Sequence, residues 1–171
     1  LIIGRAGGTI GIPSGDRMAA FCYRLFDERE AVRREVWQGM ERSIEWGKRA
    51  VEAGAEVVLM ASDVAFNNGP FLKPALVNEL MMPPVYRWAE AFGAMGVPTI
   101  WHTDGDVTAL MPMMVDAGVT ALQAIDPIAG MDIVALRAQY GGRLALIGNL
   151  NCLTLQFGPP EAIEAECRRI L

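Results

Sequence analysis

The chain has 171 residues, 52% of them hydrophobic and 20% charged, with a formal net charge of −5. That is the make-up of one packed globular domain and not of a disordered segment. No basic run stands out and no apolar run approaches the roughly 18 residues of a membrane-spanning helix, so neither nucleic acid nor membrane is expected as a partner.

Apolar runs of strand length alternate with helical patterns. The first run, residues 1–3, is followed by Arg5 and a glycine-rich loop over 7–15. That loop matches neither the Walker pattern nor G-x-G-x-x-G, and it reads as a mobile rim loop. Asp27 with Glu30 has the form of a capping box. Val32, Val36, Met40, Ile44 and Val51 then recur at helical spacing up to a stop at Gly54. The second run, 56–61, leads to Asp63, Asn67 and Asn68. Pro74 opens a helical region that Pro83-Pro84 interrupts, and a new helix runs on to about Met95. Runs at 98–101, 121–125 and 144–147 begin at an even 23-residue spacing, close to the minimum for a strand, a helix and two tight turns. Asp106 and Asp132 read as caps of the intervening helices. Trp37, Trp46 and Trp88 stand at helical spacing and read as packing residues. Because the runs do not alternate polar with apolar, the strands should be buried on both faces of a parallel sheet. With a helix in every gap, the chain reads as an α/β fold.

In a β/α barrel the residues just after each strand form the active site. Those residues are polar here: Arg5; Asp63 and Asn67; His102, Asp104 and Asp106; Asp126; Asn149, Asn151 and Cys152. His102 is the only histidine. With Asp104 at the alternate position, both side chains can point the same way, as a metal site or an acid–base pair requires. Asp63 reads as an acceptor or general base. Cys152 reads first as a small buried hydrophobe and second as a thiolate ligand. Three widely spaced cysteines, Cys22, Cys152 and Cys167, make no disulfide framework and suggest a reducing, cytoplasmic setting.

Three segments carry a family resemblance. Residues 63–74 resemble an acidic strand end with a Gly-Pro-x-x-x-Pro helix entry, residues 96–105 a G-x-P-x-I-x-H-x-x-G segment, and residues 148–151 a G-N-L-D turn. Together they are similar to the uroporphyrinogen decarboxylase superfamily. The resemblance implies that 1–171 is one domain, a partial TIM-type (β/α)8 barrel holding strands 3 to 7. Five strands leave two unpaired edges, so the chain alone is expected to aggregate or to melt without cooperativity.

The resemblance implies first a carboxy-lyase of porphyrin biosynthesis that decarboxylates acetate side chains of a tetrapyrrole and needs no cofactor. The alternative it implies is a corrinoid-dependent methyltransferase that uses Zn2+ to activate a thiol; a non-catalytic binding relative is the third reading. Asp63 and His102 are then the expected catalytic residues, and Arg5, Asn67, Asp104, Asp126, Asn149 and Asn151 the expected substrate contacts. His102, Asp104 and Cys152 are the expected metal ligands of the alternative. The partner is a small molecule, a tetrapyrrole or a methylated corrinoid with a thiol, and a homodimer is expected. Two positions depart from the pattern: Asp104 stands where the methyltransferases' His-x-Cys has cysteine, and Asn151 stands where G-N-L-D has aspartate.

Overall fold

Strands and helices alternate along residues 1–171, as a computed structural model describes them. The elements are β1 (Ile3–Arg5), α1 (Arg17–Asp27), α2 (Arg29–Glu52), β2 (Val57–Ala61), β3 (Ala65–Phe66), β4 (Gly69–Pro70), α3 (Pro74–Leu80) and α4 (Met82–Gly93). They continue with β5 (Thr99–His102), a 3-10 turn over Thr108–Leu110, α5 (Met111–Asp116), β6 (Ala121–Gln123), α6 (Ile133–Tyr140), β7 (Ala145–Ile147), α7 (Cys152–Phe157) and α8 (Pro160–Ile170).

One parallel sheet takes the order β1-β2-β5-β6-β7, with helices between its strands: a partial TIM-type barrel. β3 and β4 form a separate antiparallel hairpin above the end of β2. Register matters most at the strand ends, where Ala61 faces His102 and His102 faces Gln123. In the middle of the sheet Val58, Met60, Ile100, Trp101 and Leu122 are buried, as the unbroken apolar runs predict. On the edge strands Ile3 and Ile147 are exposed.

Helix packing follows the periodicity. α2 buries Val32, Met40, Ile44 and Gly47, and α4 buries Val85, Trp88, Ala89 and Phe92. Trp88 and Phe92 meet edge to face at 5.3 Å. No helix is long and apolar enough to cross a membrane.

Several expectations need correction. Asp27 closes α1 and caps nothing; the residue before α2 is Glu28, which makes no side-chain cap. α1 is an addition to the predicted elements: none of its residues is fully buried, although Phe21 and Leu25 pack against the core. The interruption of the α3–α4 region falls at Met81, and Pro83 and Pro84 lie in the first turn of α4, where proline is tolerated. Trp46 is 65% exposed and Trp37 half-buried, so only Trp88 of the three is a core residue. The 7–15 loop is tied to β2 and not a free rim loop. The Ile12 N–H donates to the Asp63 carbonyl (2.8 Å), and the Ser62 hydroxyl donates to that of Thr9 (3.3 Å). A Cβ on Gly8 would lie 2.6 Å from the Ala61 carbonyl oxygen, so only glycine permits the approach.

Close packing of α2 on the sheet generates a test. A side chain at Gly47 would meet the Phe92 ring at 2.5 Å and the Ala6 methyl at 2.8 Å, whereas one at Gly39 would meet only the Arg42 guanidinium, in ordinary contact at 3.9 Å. Gly47→Val should therefore destabilise the chain by about 2 kcal/mol. Gly39→Ala should stabilise it by up to about 1 kcal/mol. Urea denaturation of both variants checks the pair, and equal effects would refute this packing.

Candidate functional site

Parallel pairing brings the ends of β2, β5 and β6 to one level. Asp63 lies two residues past β2, His102 ends β5, Asp104 follows two residues later, and Gln123 ends β6. The Asp104 N–H donates to Asp63 Oδ1 (3.1 Å), and His102 Nε2 stands 3.9 Å from the same oxygen. One ligand-type atom each from Asp63, His102 and Asp104 lies within 4.8 Å of the others. His102 is half-buried and both aspartates are exposed.

Backbone anchors hold this arrangement. Buried Thr103 accepts from the Val64 N–H (3.0 Å) and donates to the Asp104 carbonyl (3.1 Å), joining the two strand ends. Gly105 has φ +85°, and a Cβ there would lie 2.4 Å from the Ala65 carbonyl oxygen. Glycine is thus what lets the loop after β5 press against the β3–β4 hairpin. The Asp106 N–H completes the contact by donating to the Phe66 carbonyl (2.9 Å).

On its other side the His102 ring bonds through Nδ1 to Oε1 of Gln123. An amide oxygen only accepts, so this pairing calls for a proton on Nδ1, and it leaves Nε2 toward Asp63. Gln123 is not legible as a site residue in the sequence, because it lies inside the apolar run 121–125 and the first residue after that run is Asp126. A single polar residue within an otherwise buried strand was the available signal.

Asp104 carries the electrostatic cost of the cluster. Desolvation in the rim raises its carboxyl pKa; His102 opposes this, while the nearby Asp63 and Asp126 carboxylates add to the rise. A cation between these groups would relieve both the desolvation and the repulsion.

Other expected site residues stand elsewhere. Asp126 is half-buried near Asp104, and its carboxylate accepts from the Ile128 N–H (2.9 Å). Arg5 lies in β1, separated from β5 by β2, where it borders a shallow hollow of about 460 Å3 with Arg42, Ser43 and Trp46. Asn67 is exposed in the turn of the hairpin. Asn149 is buried, donates to the Met131 carbonyl (2.9 Å) and accepts from Arg169 (3.2 Å), which ties the turn after β7 to the loop before α6 and to α8. Asn151 caps α7 through the Leu153 N–H (2.8 Å). Cys152 opens α7, is exposed where a buried small hydrophobe was expected, and is absent from the cluster of ligand atoms. A helix at 152–157 turns these residues to capping where the sequence had suggested a strand rim. Asp132 caps α6 as expected, accepting from Val134 at 2.8 Å, while Asp106 accepts from Thr108 at 2.9 Å just before the 3-10 turn.

Comparison with known proteins gives a consistent picture. The sequence pattern of uroporphyrinogen decarboxylase (URO-D) matches residues 10–171. The methylcobamide:CoM methyltransferase MtaA of Methanosarcina barkeri is 27% identical over 129 residues, and that of M. barkeri strain Fusaro 27% over 133 residues. Each alignment covers 75% of this chain, which spans only 36% of the relative's length. A methyltransferase structure from Methanosarcina mazei superposes with a TM-score of 0.76 at 24% identity, covering 89% of this chain and 43% of that one, a likeness of fold.

Two carboxyls should respond to pH in opposite senses. Asp104 holds its proton more tightly in the folded chain than in the unfolded one, so its ionisation weakens folding as pH rises through the carboxylate range. Asp104→Asn should raise the melting temperature of the metal-free chain at neutral pH and lose that advantage in acid. At Asp132 the Val134 N–H, first among several donors, holds the carboxyl below its usual range. Its contribution is therefore present above that range and disappears as pH falls through the folded value. Asp132→Ala should lower the melting temperature at neutral pH and matter less in acid. Thermal melts over the acid-to-neutral range check both slopes.

Proposed function

The chain belongs to the uroporphyrinogen decarboxylase family, and from that premise we propose that it serves methyl transfer from a methylated corrinoid to a thiol, with a zinc ion held at the strand ends. The observation that carries this reading is the convergence of Asp63, His102 and Asp104, with ligand atoms within 4.8 Å of one another. The methyltransferase relatives support it over decarboxylation.

The donor set fits a divalent cation. Imidazole and carboxylate both bind zinc at about 2.0–2.2 Å. Ligand atoms of all three residues already lie within 4.8 Å of one another, and these are the residues that would hold the ion. A three-ligand protein site also leaves a position open for substrate. A tetrapyrrole bearing acetate groups would meet the opposite electrostatics. Asp63, Asp104 and Asp126 gather at this rim, and no lysine or arginine hydrogen-bonds to any of them.

Bound there, zinc would lower the pKa of a coordinated thiol and so supply thiolate. The chain's own residues prepare that site. The Gln123 amide oxygen engages His102 at Nδ1, which leaves Nε2 as the ring atom turned toward Asp63. Asp63 takes the Asp104 N–H on Oδ1, which fixes the direction of its carboxylate. Thr103 and Gly105 hold the two loops at this separation. In the net reaction the thiol loses its proton to solvent and a sulfur–carbon bond forms. The cobalt–carbon bond breaks, leaving its electron pair on the corrinoid.

After dialysis the protein should retain about one equivalent of zinc, and His102→Ala and Asp63→Ala should each lose it. Both should slow thiol methylation from a methylcorrinoid by at least tenfold, roughly 1.4 kcal/mol of transition-state stabilisation. Asp104→Cys should restore the softer His-x-Cys set and tighten zinc binding. Methyl transfer undiminished in zinc-free protein, or turnover of a porphyrinogen, would overturn the reading.

A further inference from the structure

We propose that Gln123 is a positioning residue, fixing His102 in the Nδ1–H tautomer so that Nε2 faces the space between Asp63 and Asp104. The inference rests on the metal-binding reading above for its purpose, but its physical content is a property of the metal-free chain.

Three observations carry it. First, the register sets Gln123 directly beside His102 on the adjacent strand, and the ring's Nδ1 bonds to the amide oxygen. Second, the backbone of Gln123 is fixed. Its carbonyl accepts from the Thr103 N–H (3.2 Å), and its Cα pairs with Ile147 on the far side. β6 then ends abruptly, since Ala124 (φ +108°) and Ile125 (φ +42°) both adopt left-handed backbone, which non-glycine residues rarely enter. Gln123 is therefore the last residue of β6 still in step with β5. Third, the amide is neutral. A carboxylate would orient the ring equally well, but it would add another negative charge to a rim that already holds Asp63, Asp104 and Asp126. Glutamine supplies the acceptor without the repulsion.

The neutral side chain of free histidine in water favours the Nε2–H form, so the opposite tautomer in the protein reports the neighbour's influence. The chain has a single histidine, and a two-bond 1H–15N spectrum of histidine-labelled protein therefore contains one imidazole. Recorded on the neutral ring, it should show a protonated Nδ1 and an unprotonated Nε2. Gln123→Leu should shift the population toward Nε2–H and weaken zinc binding by about 10–100-fold. Gln123→Glu, which keeps an acceptor oxygen, should retain the native tautomer. Nε2–H in the wild-type protein would overturn the proposal, and that result needs no folded variant. An unaltered tautomer in Gln123→Leu would overturn it as well. If the tautomer pattern holds but the protein transfers no methyl group, the reaction proposed above fails and the role of Gln123 stands.

Discussion

Parallel pairing of β2, β5 and β6 sets Ala61, His102 and Gln123 at one level, and the chemistry of the rim depends on that register. Successive strand residues point to opposite faces, so a slip of one residue in either pairing would turn His102 away from Asp63 or from Gln123. Burial makes such a slip costly, because it would also send Met60, Trp101 and Leu122 to the wrong side of the sheet. The same apolar residues that hold the sheet together thus fix the polar geometry at its end. Thr103 and Gly105 extend the control past the last ladder bond, one by bridging the strand ends and the other by admitting close backbone contact.

Three carboxylates at one rim repel, and the chain restrains them with backbone N–H groups and not with side-chain cations. Asp63 accepts from Asp104 and Asp126 accepts from Ile128. The carboxylate of Asp104 has no such donor, and it is the one whose pKa is raised. Charge in the metal-free cluster is therefore under-compensated at one known position. A proton at Asp104 or a cation shared with its neighbours would meet that deficit.

Much of this was legible in the sequence because it depends on pattern. Unbroken apolar runs specified buried parallel strands, and the polar residues that follow the runs placed Asp63 and His102 at the rim. Elsewhere local chemistry prevailed over pattern. Residues 144–152 read as a strand with a polar rim, but Asn151 can cap a helix as readily as bind a substrate, and α7 begins at the next residue. Asn149 is polar and strand-terminal, yet its partners Met131 and Arg169 are distant in sequence, so its bracing role required the tertiary structure. Gln123 was hidden because β6 stops earlier than its apolar run, at a backbone reversal through Ala124 and Ile125 that no glycine announces.

Aspartate at 104 is the departure with the most chemical meaning. Carboxylate and thiolate each carry one negative charge, so aspartate in place of the cysteine of His-x-Cys would leave the net charge of the proposed zinc site unchanged. It does alter softness. Oxygen donors release less electron density than sulfur, which favours harder ions and leaves zinc the stronger Lewis acid. A thiol bound to such a centre would lose its proton more readily, but the resulting thiolate would be a weaker nucleophile, since nucleophilicity falls with basicity. Under the proposed methyl transfer, this donor set would trade attack rate for the fraction of thiol in reactive form, and would suit a thiol whose own pKa lies well above neutrality.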